Sequence, residues 1–275
     1  MPPDAPLSRP AVCTWSLQPT SDADLVERVK ATGLDRVQLA LDGATDATFA
    51  VLGDAGIAVV SGMVGAVGED YSTIARIEET GGVVPDATWP QTRKNMKKAA
   101  ALAGRHGVGL VTLHAGFIPE DHDDPVFSKV QERLADAAGI FDANGAAIAL
   151  ETGQESADAL LAMLAESGDW IGVNFDPANM LLYGSGDPLE AVEKLLPHVR
   201  QVHLKDAIAS NTPGEWGVEV ALGEGEVDWR RFFATLASGG FAGPFAIERE
   251  AGERRVEDVR QAARLAADSA GARQK

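Results

Sequence analysis

Ala147-Ile148-Ala149-Leu150-Glu151 opens a series of four short apolar runs, each ending on a side chain able to bind a metal ion. The others are Ile171-Gly172-Val173-Asn174-Phe175-Asp176, Val199-Arg200-Gln201-Val202-His203 and Phe245-Ala246-Ile247-Glu248. Each reads as a buried strand. A carboxylate, a second carboxylate, an imidazole and a third carboxylate thus stand at successive strand ends. In a parallel barrel those ends open into one mouth, so residues far apart in sequence converge on one ion. The spacings are 25, 27 and 45 residues. The first two fit single strand–helix units, and the third fits a unit with an inserted loop at about Asp206 to Glu226.

The same alternation of strand and helix runs outward to both ends of the chain. Ala11 to Ser16 reads as strand one, Arg36 to Leu41 as strand two, Ile57 to Met63 as strand three and Leu110 to His114 as strand four. Helical spacing of apolar residues marks Asp22 to Ala31, opened by a Ser21 cap and closed near Gly33. Further helices are expected over Thr45–Asp54, Gln91–Arg105, Asp124–Asn144, Ser156–Glu166, Asp187–Leu196, Asp228–Ser238 and Arg255–Ala270. Val64 to Pro90 is Gly-rich and irregular, long enough for an active-site loop. Eight strands alternating with eight helices imply parallel pairing through right-handed crossovers, hence a single (β/α)8 TIM barrel over residues 1–275. A doubly wound sheet would show a Gly-rich phosphate fingerprint after strand one, and Trp15-Ser16-Leu17-Gln18-Pro19 has none.

Composition narrows the function. A formal net charge of −17 argues against a nucleic-acid binder, which needs a basic face. Cys13 is the one cysteine, which excludes an internal disulfide and a sulfur-rich metal site, and a buried inert thiol on strand one is expected. Met1 to Pro10 is Pro-rich without an apolar centre, so it reads as a flexible segment rather than a signal peptide. No apolar stretch approaches membrane-spanning length. The expectation is a cytoplasmic protein with a small-molecule partner, no nucleic acid and no membrane; assembly into a homo-oligomer stays open.

Glu151, Asp176, His203 and Glu248 taken as ligands make a hard, oxygen-rich site for one divalent ion. It suits Mn2+, Mg2+ or Co2+ better than a structural zinc. Each alone has a plainer reading, an Asp or Glu after a strand being a common helix cap. Four aligned in order favour the site. Lys205 follows His203 by two residues and shares its side of the strand, placing it to contact a substrate oxygen or to pair with a carboxylate. Trp15 and Trp89 are candidates for an aromatic wall against substrate or for the core, and Glu224 and Trp229 for bracing the inserted loop. His106, His122 and His198 lack ligand spacing.

Leu150-Glu151-Thr152, Asn174-Phe175-Asp176-Pro177-Ala178-Asn179, Val202-His203-Leu204-Lys205-Asp206, Leu222-Gly223-Glu224-Gly225-Glu226-Val227-Asp228-Trp229 and Ile247-Glu248 together resemble the sugar phosphate isomerase/epimerase superfamily. Its fold is the xylose isomerase-like TIM barrel, and the likeness points to its ketose 3-epimerase and inosose-processing branches. It implies that the four positions hold one metal, commonly manganese, and that Glu151 and Glu248 act as acid and base on opposite faces of the substrate. The metal would acidify a C–H next to a carbonyl and stabilise an enediolate, while the carboxylates move the proton.

His114 matches a family histidine facing the same mouth, a candidate for substrate binding. Two positions depart from the epimerase pattern: Asn179 stands where a histidine helps hold substrate, and Gln38 where relatives often carry a glutamate. The leading expectation is therefore a metal-dependent isomerase or epimerase of a sugar, keto-sugar or polyol. Asn179 and the Val64–Pro90 segment keep open a lyase or dehydratase of a keto-inositol or 3-keto-glycoside. A non-catalytic sugar-binding barrel is the third reading, against which the pair Glu151 and Glu248 argues. No Gly-rich loop with a basic cluster marks a phosphate site, so a non-phosphorylated substrate is expected.

Overall fold

The computed structural model describes residues 9–167 and 170–271. Its strands are β1 (Ala11–Cys13), β2 (Arg36–Ala40), β3 (Ala58–Met63), β4 (Leu110–Leu113), β5 (Ala147–Glu151), β6 (Ile171–Phe175), β7 (Val199–Leu204), β8 (Asp206–Ile208), β9 (Val218–Val220) and β10 (Phe245–Ile247). The helices are α1 (Asp22–Thr32), α2 (Asp46–Asp54), α3 (Ile74–Thr80), α4 (Trp89–Arg105), α5 (Pro125–Asp142), α6 (Ala157–Ser167), α7 (Pro177–Tyr183), α8 (Pro188–Leu195), α9 (Trp229–Ser238) and α10 (Arg255–Gly271). β1 to β7 and β10 close into one parallel barrel, with β10 between β7 and β1, as the eight-unit reading requires. β8 and β9 form an antiparallel pair inside the expected insertion. Among the described residues no helix is long and apolar enough to cross a membrane.

Side-chain alternation along each strand sorts the barrel into two environments. Ile148, Leu150, Val173, Phe175, Val202 and Leu204 join Leu134, Phe141, Leu160 and Phe232 of the helices in one continuous apolar layer. The intervening residues Glu151, Asn174, Asp176, Gln201 and His203 are as deeply buried, but inside the ring. Placing polar groups on the inner face brings the strand-end side chains to one another rather than to solvent.

The local punctuation follows the sequence in most places. The Ser21 hydroxyl caps α1 by accepting from the Asp24 amide, and Gly33 closes it in the left-handed region (φ 81°). Strand one is shorter than expected: it stops at Cys13 and turns into a 3-10 helix over Thr14–Leu17, which swings Trp15 towards the mouth. Ten α-helices occur among the described residues instead of eight. α3 lies within the segment read as irregular, and α7 starts one residue after Asp176. Both are seven residues long, too short for a periodic apolar stripe to announce them. Of the N-terminal segment expected to be flexible, residues 1–8 lie outside the described residues.

Candidate functional site

Glu151 ends β5, Asp176 follows β6, His203 lies in β7 and Glu248 follows β10. One ligand-capable atom of each lies within 4.8 Å of the other three, and all four residues are buried. The centre of the group is His203 Nδ1, with Glu151 Oε1 at 3.3 Å, Glu248 Oε2 at 3.4 Å and Asp176 Oδ2 at 3.6 Å. His203 Nδ1 and Asp176 Oδ2 have no hydrogen-bond partner although both are buried. Unsatisfied acceptors so placed are costly unless a cation or a proton occupies the space between them. The donor set therefore fits one hard divalent ion.

Neighbouring groups fix each of the four. Gln38 Oε1 lies 2.7 Å from His203 Nε2, while the Gln38 amide nitrogen donates to Thr112 Oγ1 at 2.8 Å. Asn174 donates to Glu151 Oε2 at 3.1 Å, and Asn179 donates to Glu151 Oε1 at 3.0 Å. Asp176 also does what its plainer reading foresaw: Oδ1 accepts from the amides of Ala178 and Asn179 and caps α7, which leaves Oδ2 for the site. Trp15 Nε1 donates to Glu248 Oε1 at 2.6 Å. Lys205 pairs with carboxylates, donating to Glu248 Oε2 at 2.9 Å and Glu250 Oε2 at 2.7 Å, and its third contact is Asn179 Oδ1 at 3.2 Å.

Charge at the site is set by these contacts. Burial opposes ionisation of Glu248, but Lys205 and His203 outweigh it and hold its carboxyl well below the usual range. Glu151 is likewise pulled down, by His203 and His114 against the cost of burial. Burial dominates at Asp176, which is pushed up to about 6 despite Lys205. In the metal-free chain, burial works against a charged His203 ring and is overcome by Glu151 and the surrounding negative groups, so its pKa stands well above normal. The imidazolium then supplies the positive charge that the carboxylates require. Cys13 is buried beside the site, its thiol driven to about 12 by desolvation and donating to Gln38 Oε1 at 3.4 Å, and its sulfur also lies within ligand distance of His203 and Glu248.

Above the four residues is a cavity of about 480 Å³. His114 lines it, 12% exposed, with Nε2 at 4.0 Å from Glu151 Oε1 and Nδ1 unpartnered. Trp15, Asn179 and Lys205 line it as well. Trp89 does not: it lies at the start of α4 under the Arg133 guanidinium, 5.3 Å from the ring centre. The aromatic wall is made by Tyr71, Tyr183 and Trp216, which sequence reasoning missed because all three sit on loops or on α7. Gln38 and Asn174 were missed in a positioning role. A polar residue in the interior of a strand run is their one sequence signal. Trp229 does brace the insertion, donating to Asp206 Oδ2 at 2.8 Å, whereas Glu224 is exposed.

A family model described as a xylose isomerase-like TIM barrel matches residues 26–269. A crystallised xylose isomerase domain protein from Planctomyces limnophilus is 35% identical, with 89% of this chain and 91% of that one covered and a TM-score of 0.83. A xylose isomerase-like TIM barrel protein from Mycobacterium smegmatis, crystallised in complex with magnesium, shares the fold at 17% identity and a TM-score of 0.74, covering 96% of this chain and 97% of that one. Among curated proteins, "Putative L-ribulose-5-phosphate 3-epimerase SgbU" of Escherichia coli (strain K12) is 29% identical over 177 residues, a stretch that is 59% of either chain. Strand order, site geometry and these matches agree: the chain belongs to the xylose isomerase-like TIM barrel family.

Proposed function

We propose that this chain is a divalent-metal-dependent isomerase or epimerase that moves a proton on the carbon next to a carbonyl of a sugar, keto-sugar or polyol. The observation that carries the reading is the buried group of Glu151, Asp176, His203 and Glu248, with two of its acceptors unpartnered under an open cavity. A divalent ion seated there, with manganese favoured and magnesium or cobalt suitable, would supply Lewis acidity to the substrate carbonyl and lower the pKa of the adjacent C–H. The name of the SgbU relative and the magnesium in the Mycobacterium smegmatis structure support the same class.

The chain's own groups divide the work. Glu151 and Glu248 are ionised carboxylates that line the cavity from β5 and from the end of β10, with two strands between them in the ring. One is placed to take a proton from one face of the substrate carbon and the other to return it on the opposite face. Lys205, 2.9 Å from Glu248, keeps that carboxylate ionised. Asn179 holds Glu151 and Lys205 in register but cannot carry a proton. His114, 4.0 Å from Glu151, is a further proton-bearing group of the cavity and would bind a substrate hydroxyl.

The test is solvent exchange. Incubation with ketoses in deuterated water gives deuterium at the carbon next to the carbonyl, and Glu151→Gln and Glu248→Gln, each verified to be metal-loaded, lose at least roughly 10²-fold in rate. His203→Ala and Asp176→Ala lose bound metal by elemental analysis. Native rates in both glutamine variants, or full metal content in both alanine variants, would falsify the assignment. Asn179, 3.0 Å from Glu151 and unable to carry a proton, favours one alternative, a lyase or dehydratase acting on a keto-inositol or 3-keto-glycoside. The same experiment separates it, since exchange is then followed by loss of water or of the aglycone.

A further inference from the structure

The cavity carries far more negative than positive charge. Asp42, Glu69, Glu151, Glu248 and Glu250 line it, and Asp176 lies directly beneath. Among the described lining residues Lys205 is the one lysine or arginine. Six carboxylates, one ammonium and a doubly charged ion leave, formally, three negative charges in excess. A pocket with low-dielectric walls focuses such a field, which salt screens only over about 8 Å at physiological ionic strength.

The single ammonium is also fully occupied. A lysine head has three donors. Those of Lys205 go to Asn179 Oδ1, Glu248 Oε2 and Glu250 Oε2, at 3.2, 2.9 and 2.7 Å. Glu248 belongs to the metal group, but Glu250 does not, and its side chain is 52% exposed at the cavity rim. The fold holds Glu250 in place. Glu219 of β9 accepts from the backbone amides of Glu250 and Ala251 at 2.8 and 3.1 Å and pairs with Arg249 at 2.6 Å. Glu219 and Arg249 are 8% and 11% exposed, so this clamp is largely withdrawn from solvent.

We propose that Glu250 is a specificity-determining residue: by neutralising Lys205 at the rim of an already acidic cavity, it excludes phosphate esters and restricts the site to uncharged sugars or polyols. This deepens the reading above and rests on it for the identity of the ligand as a sugar. Exclusion of this kind works through a misplaced charge rather than through a better fit for the accepted ligand.

The probe is inorganic phosphate, titrated into magnesium-loaded protein and followed by the fluorescence of the cavity tryptophans Trp15 and Trp216. Wild type is expected to show no saturable signal. Glu250→Gln and Glu250→Ala gain a phosphate site at least about tenfold tighter, a change of about 1.4 kcal/mol. Adding Lys205→Met to either variant removes the gain. Saturable binding by wild type within tenfold of the variants, or no gain in either variant, overturns the proposal.

A second arm compares deuterium exchange on L-ribulose and L-ribulose 5-phosphate. The ratio of kcat/KM for ester over free sugar should rise at least about tenfold in Glu250→Gln. Wild-type exchange on the ester equal to that on the free sugar would sink anion exclusion and leave the isomerase reading intact. Phosphate gain in the variants with no exchange on any ketose would support exclusion and count against the isomerase reading.

Discussion

Gln38 backs the His203 ring, and its own amide is oriented by Thr112 of β4, two strands away in the ring. With Gln38 Oε1 accepting from Nε2–H, Nδ1 is the nitrogen that faces the three carboxylates and would give its lone pair to a bound ion. Gln38→Leu should therefore lower divalent-metal affinity by roughly 10–100-fold, read by competition with a chelator, while the barrel still folds. Affinity equal to wild type would detach Gln38 from the site. The sequence singled out Gln38 only as a departure from relatives. Its partner lies three places round the ring, and no local pattern reports a contact across a barrel. Glu155 carries a second prediction. It is buried with Oε1 unpartnered, and desolvation raises its pKa to about 8. The native state then binds a proton that the unfolded chain has released, so stability is full below about pH 4.5 and falls as pH rises towards 8. Glu155→Gln cannot ionise, so its advantage over wild type in urea unfolding should grow from pH 5 to pH 8. A gap that stays constant with pH would refute the burial argument.

Loops over the mouth are braced against one another at defined positions. Gly82 sits at φ 63°, and a Cβ there would come within 2.2 Å of the Ala115 carbonyl, in the loop that follows His114. Gly82→Ala should displace that loop, destabilise the protein by on the order of 1–3 kcal/mol and weaken sugar binding, which unfolding and KM measurements would show together. Asp206 is the corresponding anchor of the insertion, accepting from Gly223 N and Trp229 Nε1 through one oxygen and from Ala207 N and Val227 N through the other. Asp206→Asn replaces an acceptor by a donor facing N–H groups and should cost about 1–3 kcal/mol. Faster amide hydrogen exchange across residues 206–227 is the accompanying signature. The insertion was legible from the 45-residue gap between His203 and Glu248, and Trp229 from its motif. The hairpin was not, because strands of three residues carry too little alternation to recognise. α7 was equally hidden, although Asp176-Pro177 is a helix-start signal once the preceding strand end is known.

At the scale of the molecule, the barrel was readable because each strand–helix unit repeats one change of period, from 2 to 3.6. The convergence of four strand ends follows from that topology alone. What topology could not give was the identity of the groups around each end, such as Asn174, Asn179 and Glu250, which depend on strand register. If a divalent ion binds only the folded chain, its removal destabilises the whole barrel. At metal 100-fold above Kd the loss is about 2.7 kcal/mol, so EDTA should lower Tm by roughly 5–10 °C. No shift would mean that the four residues hold no ion in solution. The four come from β5, β6, β7 and β10, adjacent members of the ring, while Trp15, Asp42, Met63, Tyr71 and His114 reach the same cavity from the other half. The two halves of the chain are thus interlocked at the site: the later half carries the four candidate ligands with Tyr183, Trp216 and Glu250, and the earlier half supplies Gln38 and Trp15, which hold His203 and Glu248. Neither half can be swapped for a foreign one without cutting a direct contact to His203 or Glu248.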